Sequence, residues 1–158
     1  MLPQHWDAVK IIYEEGINTG NATFQTDAPS WKEWDNAHIK TCRILATQNI
    51  EVLGWAALTS VSSRSVYAGV AEVSVYVTTN ARGNNIGSSL LQELINQSEQ
   101  NGIWTLQAGI FPENKSSISI HEKNGFRNIG YREKIGKMGN VWRDIILLER
   151  RSHKIGVE

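Results

Sequence analysis

The residues best suited to chemistry fall in one stretch, from Val75-Tyr76-Val77 through Thr78 to Ala81 and on to Arg82-Gly83-Asn84-Asn85-Ile86-Gly87-Ser88. It reads as a strand, a tight glycine-bearing turn and the start of a helix. The first turn of a helix has N–H groups without intrahelical acceptors, and the macrodipole places about half a positive charge there. A turn that aims those amides outward makes a cradle for a pyrophosphate. Gly83 and Gly87 allow close backbone approach, and Arg82 can add a charge-assisted contact. Nucleotide hydrolysis and NAD binding both lose ground. No lysine separates Gly87 from Ser88, as a P-loop requires, and the G-x-G-x-x-G pattern is absent.

Two titratable side chains flank this stretch. Strand alternation puts Glu72, Ser74 and Tyr76 on one face and Val73, Val75 and Val77 on the other. A carboxylate buried among valines would be expensive, so Glu72 faces a pocket, where it can take a proton, or solvent. His121 lies on a helix face, and imidazole can act as acid or base near neutral pH; a purely structural histidine is the alternative. Cys42 has no His or Asp at a nucleophile's spacing and reads as a small core residue.

The elements that must position these groups follow from periodicity. Trp6, Val9, Ile12 and Tyr13 share one face of a helix predicted from Trp6 to Gly16. A polar loop runs to Asp27. Ser30 and Glu33 then form a capping box that opens a helix to about Lys40. Arg43–Thr47, Val52–Val61 and Val70–Val77 read as strands, and Ile86–Gln100 is an amphipathic helix. Ile103–Ile110 is a strand and Asn114–Lys123 a helix closed by Gly125. Arg127–Lys137 and Val141–Arg150 are strands joined through Gly139-Asn140. The expected fold is α/β: one domain over residues 1–158, with a central mixed sheet and helices on both faces.

Composition limits the partners. The chain has 158 residues, 41% apolar with six tryptophans, which suits one globular core. Lys plus Arg (16) equals Asp plus Glu (16), so no basic field points to nucleic acid or to an anionic membrane. No apolar run reaches the ~18 residues of a membrane span, and a lone cysteine fits a reducing compartment. A cytoplasmic protein is expected.

Arg82-Gly83-x-Asn85-Ile86-Gly87 resembles the R-G-x-G-x-G/A turn of the GCN5-related N-acetyltransferases. Asn114-Lys115-Ser116-Ser117 followed by His121-Glu122-Lys123-Asn124-Gly125-Phe126 is similar to that superfamily's second block. More narrowly, Gly20-Asn21-Ala22-Thr23-Phe24, Ala71 to Val77, Gln107 to Asn114, and Ile135 to Gly139 with Trp142-Arg143-Asp144 resemble the phosphinothricin and methionine sulfoximine N-acetyltransferases. The resemblance covers almost the whole chain. It implies the GNAT fold, acetyl-CoA as co-substrate without a metal, an amino-acid-like amine as acceptor, and a homodimer.

The resemblance also implies roles. Val75 and Val77 pair through their backbone with the pantetheine arm, and a backbone N–H near Val75 or Tyr76 stabilises the oxyanion. The turn Arg82, Gly83, Asn84, Asn85, Ile86, Gly87 and Ser88 holds the pyrophosphate, while Asn114 and Lys123 are further coenzyme contacts. Asn114 could instead be a plain N-cap, and Lys123 a solvated lysine. Glu72 is the general base, through a water, and His121 stands where many members have a tyrosine that reprotonates the thiolate. Thr23, Phe24, Arg64 and Ser74 belong to the acceptor side. Trp142, Arg143 and Asp144 line the pocket or a dimer contact, or are ordinary strand residues.

The chain departs from the pattern in three places. Asn85 replaces the usual glycine, though asparagine tolerates left-handed backbone. Ala68 stands where arginine is common, which weighs against phosphinothricin itself. Members usually begin with a short strand before the first helix, whereas this chain starts at Met1-Leu2-Pro3. Two other readings stay open: acetylation of a polyamine or protein N-terminus, and a coenzyme-A-binding sensor without catalysis.

Overall fold

A computed structural model describes residues 1–158. Helices α1 (Trp6–Asn18) and α2 (Trp31–Ala37) precede strands β1 (Ile44–Gln48), β2 (Glu51–Ser60) and β3 (Val70–Val77). Helix α3 (Ile86–Gln100), strand β4 (Thr105–Ile110), helix α4 (Lys115–Lys123) and the hairpin β5 (Arg127–Met138)–β6 (Val141–Arg151) follow. The six strands form one sheet in the order β1-β2-β3-β4-β6-β5. Only β3 and β4 run parallel, so the sheet is mixed. Short 3-10 turns occupy Pro3–His5, Ser65–Tyr67 and Thr79–Ala81. No helix is long and apolar enough to cross a membrane.

Two apolar clusters cover the two faces. Leu90, Leu91, Leu94 and Ile95 of α3 pack on Ala56, Leu58, Leu106, Ala108 and Leu148, with Val73, Val75 and Val77 at the margin. On the other face, Trp6, Val9 and Ile12 of α1 and Trp34 of α2 pack on Trp55 and Ala57 of β2, with Tyr13 and Tyr76 at the margin. Cys42 joins the first cluster, 4% exposed.

Most boundaries agree with the periodicity to within two residues, and at three of those that differ a local bond wins. Helix α2 stops at Ala37, not Lys40, because His38 turns extended, bridges Thr59 and stacks on Trp34 at 4.0 Å. Arg43 stays outside β1, its guanidinium held by the carbonyls of Asp35, His38 and Ile39 at the end of α2. Strand β4 opens at Thr105 because the Ile103 and Trp104 amides are already used by the Ser98 and Gly69 carbonyls.

Candidate active site

The central feature is a gap in the sheet. Strands β3 and β4 pair only at Val70↔Thr105, Ala71↔Leu106 and Glu72↔Gln107, then separate. Which backbone groups face the gap follows from the β2 ladder. Thr78 N–H donates to Leu53 C=O and Val61 N–H to Val70 C=O. Antiparallel pairs that exchange hydrogen bonds alternate with pairs that do not. Together with the Tyr76↔Trp55 and Ser74↔Ala57 register, this assigns the N–H and C=O of Ser74 and Tyr76 to β2. Those of Val75 point the other way, where no strand lies opposite. The Tyr76 amide is therefore not the one offered at the gap; the Val75 amide is.

At the far end of β3 the chain enters the turn before α3. Gly83 has φ 82° and Asn85 has φ 63°, both in the left-handed region. Asn85 is the helix N-cap, yet its side chain makes no cap hydrogen bond; its carbonyl accepts from the Ser89 N–H and hydroxyl, each at 3.1 Å. The backbone N–H groups of Gly83, Asn84, Asn85, Ile86, Gly87 and Ser88 have no acceptor within the chain. The Arg82 side chain turns back to donate through Nε to Val77 C=O at 3.2 Å, placing its guanidinium at the mouth of the gap. A β carbon on Gly87 would lie 3.2 Å from Ile120 of α4, so this glycine permits close packing of the two helices. Asn124, just past α4, donates to Ser88 Oγ at 3.0 Å and ties α4 to the turn.

At the vertex, where pairing ends, Gln107 Nε2 donates to Glu72 Oε2 at 3.0 Å, and Glu72 is exposed. The carboxylate has a second oxygen free to hold a water. Glu72 shares its face with Tyr76, whose ring stacks on Trp55 (centroids 4.8 Å) and lies 4.9 Å from Tyr13. Gly16 of α1 makes room for it: a β carbon there would sit 2.6 Å from the Tyr76 ring. Burial raises the pKa of both tyrosines, and the nearby Thr23 hydroxyl opposes the shift. Thr23 is thereby placed on the Glu72 side of the sheet. Phe24 meets Phe111 edge to face at 4.8 Å and lies over Gly136, where a β carbon would come within 2.6 Å of its ring.

Other expected residues lie differently. Asn114 is the N-cap of α4: its Oδ1 accepts from Ser117 N–H at 3.1 Å, and its amide donates to Asn21 C=O at 3.1 Å. Lys123 is exposed at the end of α4. Arg64 lies on the loop entering β3, stacked over Tyr67 at 5.5 Å, with no hydrogen bond or ion pair from its side chain. Asp144 accepts from Tyr131 Oη and from Lys134 N–H, holding the bulge that bends β5.

His121 is 4% exposed, edge to face with Phe126. Its Nδ1 is 2.7 Å from Ser117 C=O, which can only accept, so Nδ1 carries the proton. Nε2 is then an acceptor with no partner in the chain. Burial lowers the pKa, outweighing the Ser117 hydrogen bond. A neutral ring accepts a proton rather than giving one, so this environment disfavours the acid role expected for His121.

The model of the acetyltransferase (GNAT) family matches residues 7–126. The chain belongs to this family. Within it, YwnH of Bacillus subtilis, provisionally named a phosphinothricin acetyltransferase, is 32% identical over 156 residues, 94% of this chain and 96% of that one. An L-methionine sulfoximine/L-methionine sulfone acetyltransferase of Pseudomonas aeruginosa is 32% identical over 99 residues, 63% of this chain and 58% of that protein. Among solved structures, a GNAT phosphinothricin acetyltransferase of Sinorhizobium meliloti in complex with acetyl-CoA superposes with a TM-score of 0.85. It is 26% identical, with 96% of this chain and 85% of that one covered. This GNAT protein is an N-acetyltransferase.

Of the groups around the gap, sequence reasoning missed Gln107, Tyr13, Gly16, Phe111 and Asn124. Tyr13 was legible as a residue of the buried face of α1, and Gln107 as the start of a motif block. Neither signal carried a role.

Proposed function

We propose that this GNAT enzyme transfers the acetyl group of acetyl-CoA directly to the α-amine of a small amino-acid-like acceptor. The observation that carries the reading is the splayed β3 edge, with unpartnered amides at its turn end and Glu72 at its vertex. In this reading the amides of Gly83 to Ser88 hold the pyrophosphate, with Arg82 adding charge. Val75 C=O and Val77 N–H, which flank one side of the gap, take the pantetheine arm as a strand would. Acetyl-CoA supplies the activated thioester. Val75 N–H then faces the thioester carbonyl and stabilises the oxyanion; removing one such donor from an acyl-transfer site typically costs about 10²–10³ in rate.

Glu72, oriented by Gln107, takes the proton of the acceptor ammonium through a water on its free oxygen. The neutral amine attacks the carbonyl carbon, the C–S bond breaks, and the proton on nitrogen passes back by way of the same water toward the leaving sulfur. His121 stays neutral and gives no proton. Ser74, Thr23 and Phe24 surround the acceptor, and Arg64 is the available cation for its carboxylate. Methionine sulfoximine, methionine sulfone or a phosphinic analogue is the acceptor class supported by the relatives; Ala68 weighs against phosphinothricin itself.

A homodimer is the second part of the proposal. It is supported by the exposed apolar side chains of the β5–β6 hairpin, Ile129, Tyr131, Ile135, Val141 and Trp142. Light scattering on a sizing column checks it, and a monomer at micromolar concentration contradicts it.

The test of function is thiol release from acetyl-CoA across a panel of amino acids, polyamines and peptide N-termini. Glu72→Gln should lose about 10²-fold or more in kcat and keep its affinity for coenzyme A. Coenzyme binding without turnover on any amine would favour a sensor instead.

A further inference from the structure

The long connection from Thr19 to Ser30 has no regular secondary structure, yet it carries Thr23 and Phe24 to the edge of the gap. A loop of this kind is mobile unless side chains from elsewhere hold it. Of the three side-chain hydrogen bonds that reach it from distant residues, one comes from Asn114 and two from a single residue of β6. Arg143 donates through Nη1 to Gly20 C=O at 2.9 Å and through Nη2 to Asn21 Oδ1 at 2.9 Å. The same guanidinium lies 4.0 Å over the ring of Phe111, the ring against which Phe24 is set. It also contacts Met138 Sδ at 3.5 Å and Glu113 Oε2 at 3.2 Å.

Such a set of contacts is more than an ion pair. The Arg143 side chain is 15% exposed, whereas Glu113 is 59% exposed, so the carboxylate is a solvated partner of little weight. The charge is satisfied mainly by a carbonyl, an amide oxygen and an aromatic face. A planar fork of N–H donors can serve these three together, and a lysine ammonium cannot. Arg143 makes no hydrogen bond or ion pair with Glu72, Ser74 or Tyr76; it reaches the acceptor side through the loop and through Phe111, which backs Phe24.

We infer that Arg143 is a positioning residue that clasps the 19–27 loop shut over the acceptor side of the gap, so that Thr23 and Phe24 are in place before the amine arrives. The role rests on the acetyltransfer reading above. Acetyl-CoA is held elsewhere, by β3 and the turn before α3, so the clasp should govern the acceptor and not the coenzyme. A displacement of about 1 Å in a positioning element can cost up to about a hundredfold.

The test compares Arg143→Ala, Arg143→Lys and Asn21→Ala in the full chain, with hydrogen exchange and steady-state kinetics on each. Asn21→Ala removes one acceptor of the fork without touching the core, and so keeps the test open should Arg143→Ala fold poorly. Exchange over residues 19–27 should rise about tenfold in Arg143→Ala, while β3 amides stay as protected as in the wild type. The KM for the amine should rise about tenfold or more, with the KM for acetyl-CoA within about twofold. Arg143→Lys and Asn21→Ala should fall between. Unchanged exchange in the loop, or a loosened loop with an unchanged amine KM, would overturn the inference; so would equal rises in both KM values. A wild-type protein that turns over no amine would instead sink the acetyltransfer reading, and the exchange data would still decide whether the clasp exists.

Discussion

Asn85 offers the sharpest test of the pyrophosphate turn, because its side chain does nothing there except occupy a left-handed position. With φ 63° and ψ 10°, it makes no cap hydrogen bond, and the bonds at this residue are accepted by its backbone carbonyl. Substitution therefore changes backbone preference and little else. Alanine in the left-handed region is about 1–2 kcal/mol worse than in its own preferred regions, and asparagine is penalised less. Asn85→Ala should cost about 1 kcal/mol, or roughly 2–4 °C in Tm for a domain of this size. Glycine removes the conformational penalty but gains about 0.5–1 kcal/mol of disorder in the unfolded chain, so Asn85→Gly should be near neutral. If instead the free alanine variant relaxes the turn, the same 1 kcal/mol leaves the melt and appears in binding as about a fivefold weaker Kd for coenzyme A. Isothermal titration with coenzyme A, beside thermal melts, gives both numbers. The summed loss in stability and binding should be about 1 kcal/mol for alanine and near zero for glycine. An alanine variant as stable as wild type that binds coenzyme A equally well would refute the reasoning.

Three further outcomes follow from packing and charge. Gly16→Ala gains up to about 1 kcal/mol of helix propensity but drives a methyl into the Tyr76 ring, which is already stacked on Trp55. Overpacking of about 1–3 kcal/mol should win, leaving a net loss of about 1 kcal/mol in urea unfolding. Glu99, buried at the end of α3, accepts from Lys154, Ser152 and Arg150; burial pushes its pKa up, but these partners hold it below the ordinary value. Its contribution is present above the unfolded-state pKa of about 4.3 and is lost as pH falls through the lower folded value. Glu99→Gln should cost about 2 kcal/mol near neutral pH and flatten the acid limb of the stability curve. His121 is buried neutral, so its share of stability is present above about pH 6.5 and drains away as pH falls below it. His121→Phe should remove that slope and leave kcat within about threefold; a large kcat loss would restore the acid role.

Much of this was legible in the sequence, and what was not is physically specific. Alternation along Ala71 to Val77 placed Glu72 and the valines on opposite faces because strand side chains have a strict period of two. Gly83, Asn85 and Gly87 announced the turn, since few residues accept left-handed backbone or so close a helix contact. The end of the β3–β4 ladder at Glu72↔Gln107 was not readable, because no residue type encodes where two parallel strands part. Nor was the choice of the Val75 over the Tyr76 amide, which depends on pairing with Leu53 and Val61 across the sheet. The Arg143 clasp joins residues 122 and 123 positions apart, beyond any local pattern. The burial of His121 is likewise a tertiary fact: helix periodicity gave its face, and Phe126 supplied the cover.

The central claim is that main-chain amides, from Gly83 to Ser88 at the turn and at Val75 on the strand, grip the coenzyme. Backbone amide NMR with and without coenzyme A and acetyl-CoA tests it most directly. The six turn amides should shift and become protected on adding either ligand, and Val75 should follow, while Tyr76, already bonded to β2, should be protected throughout. Turn amides that stay unmoved and exchange freely at saturating coenzyme would contradict the account.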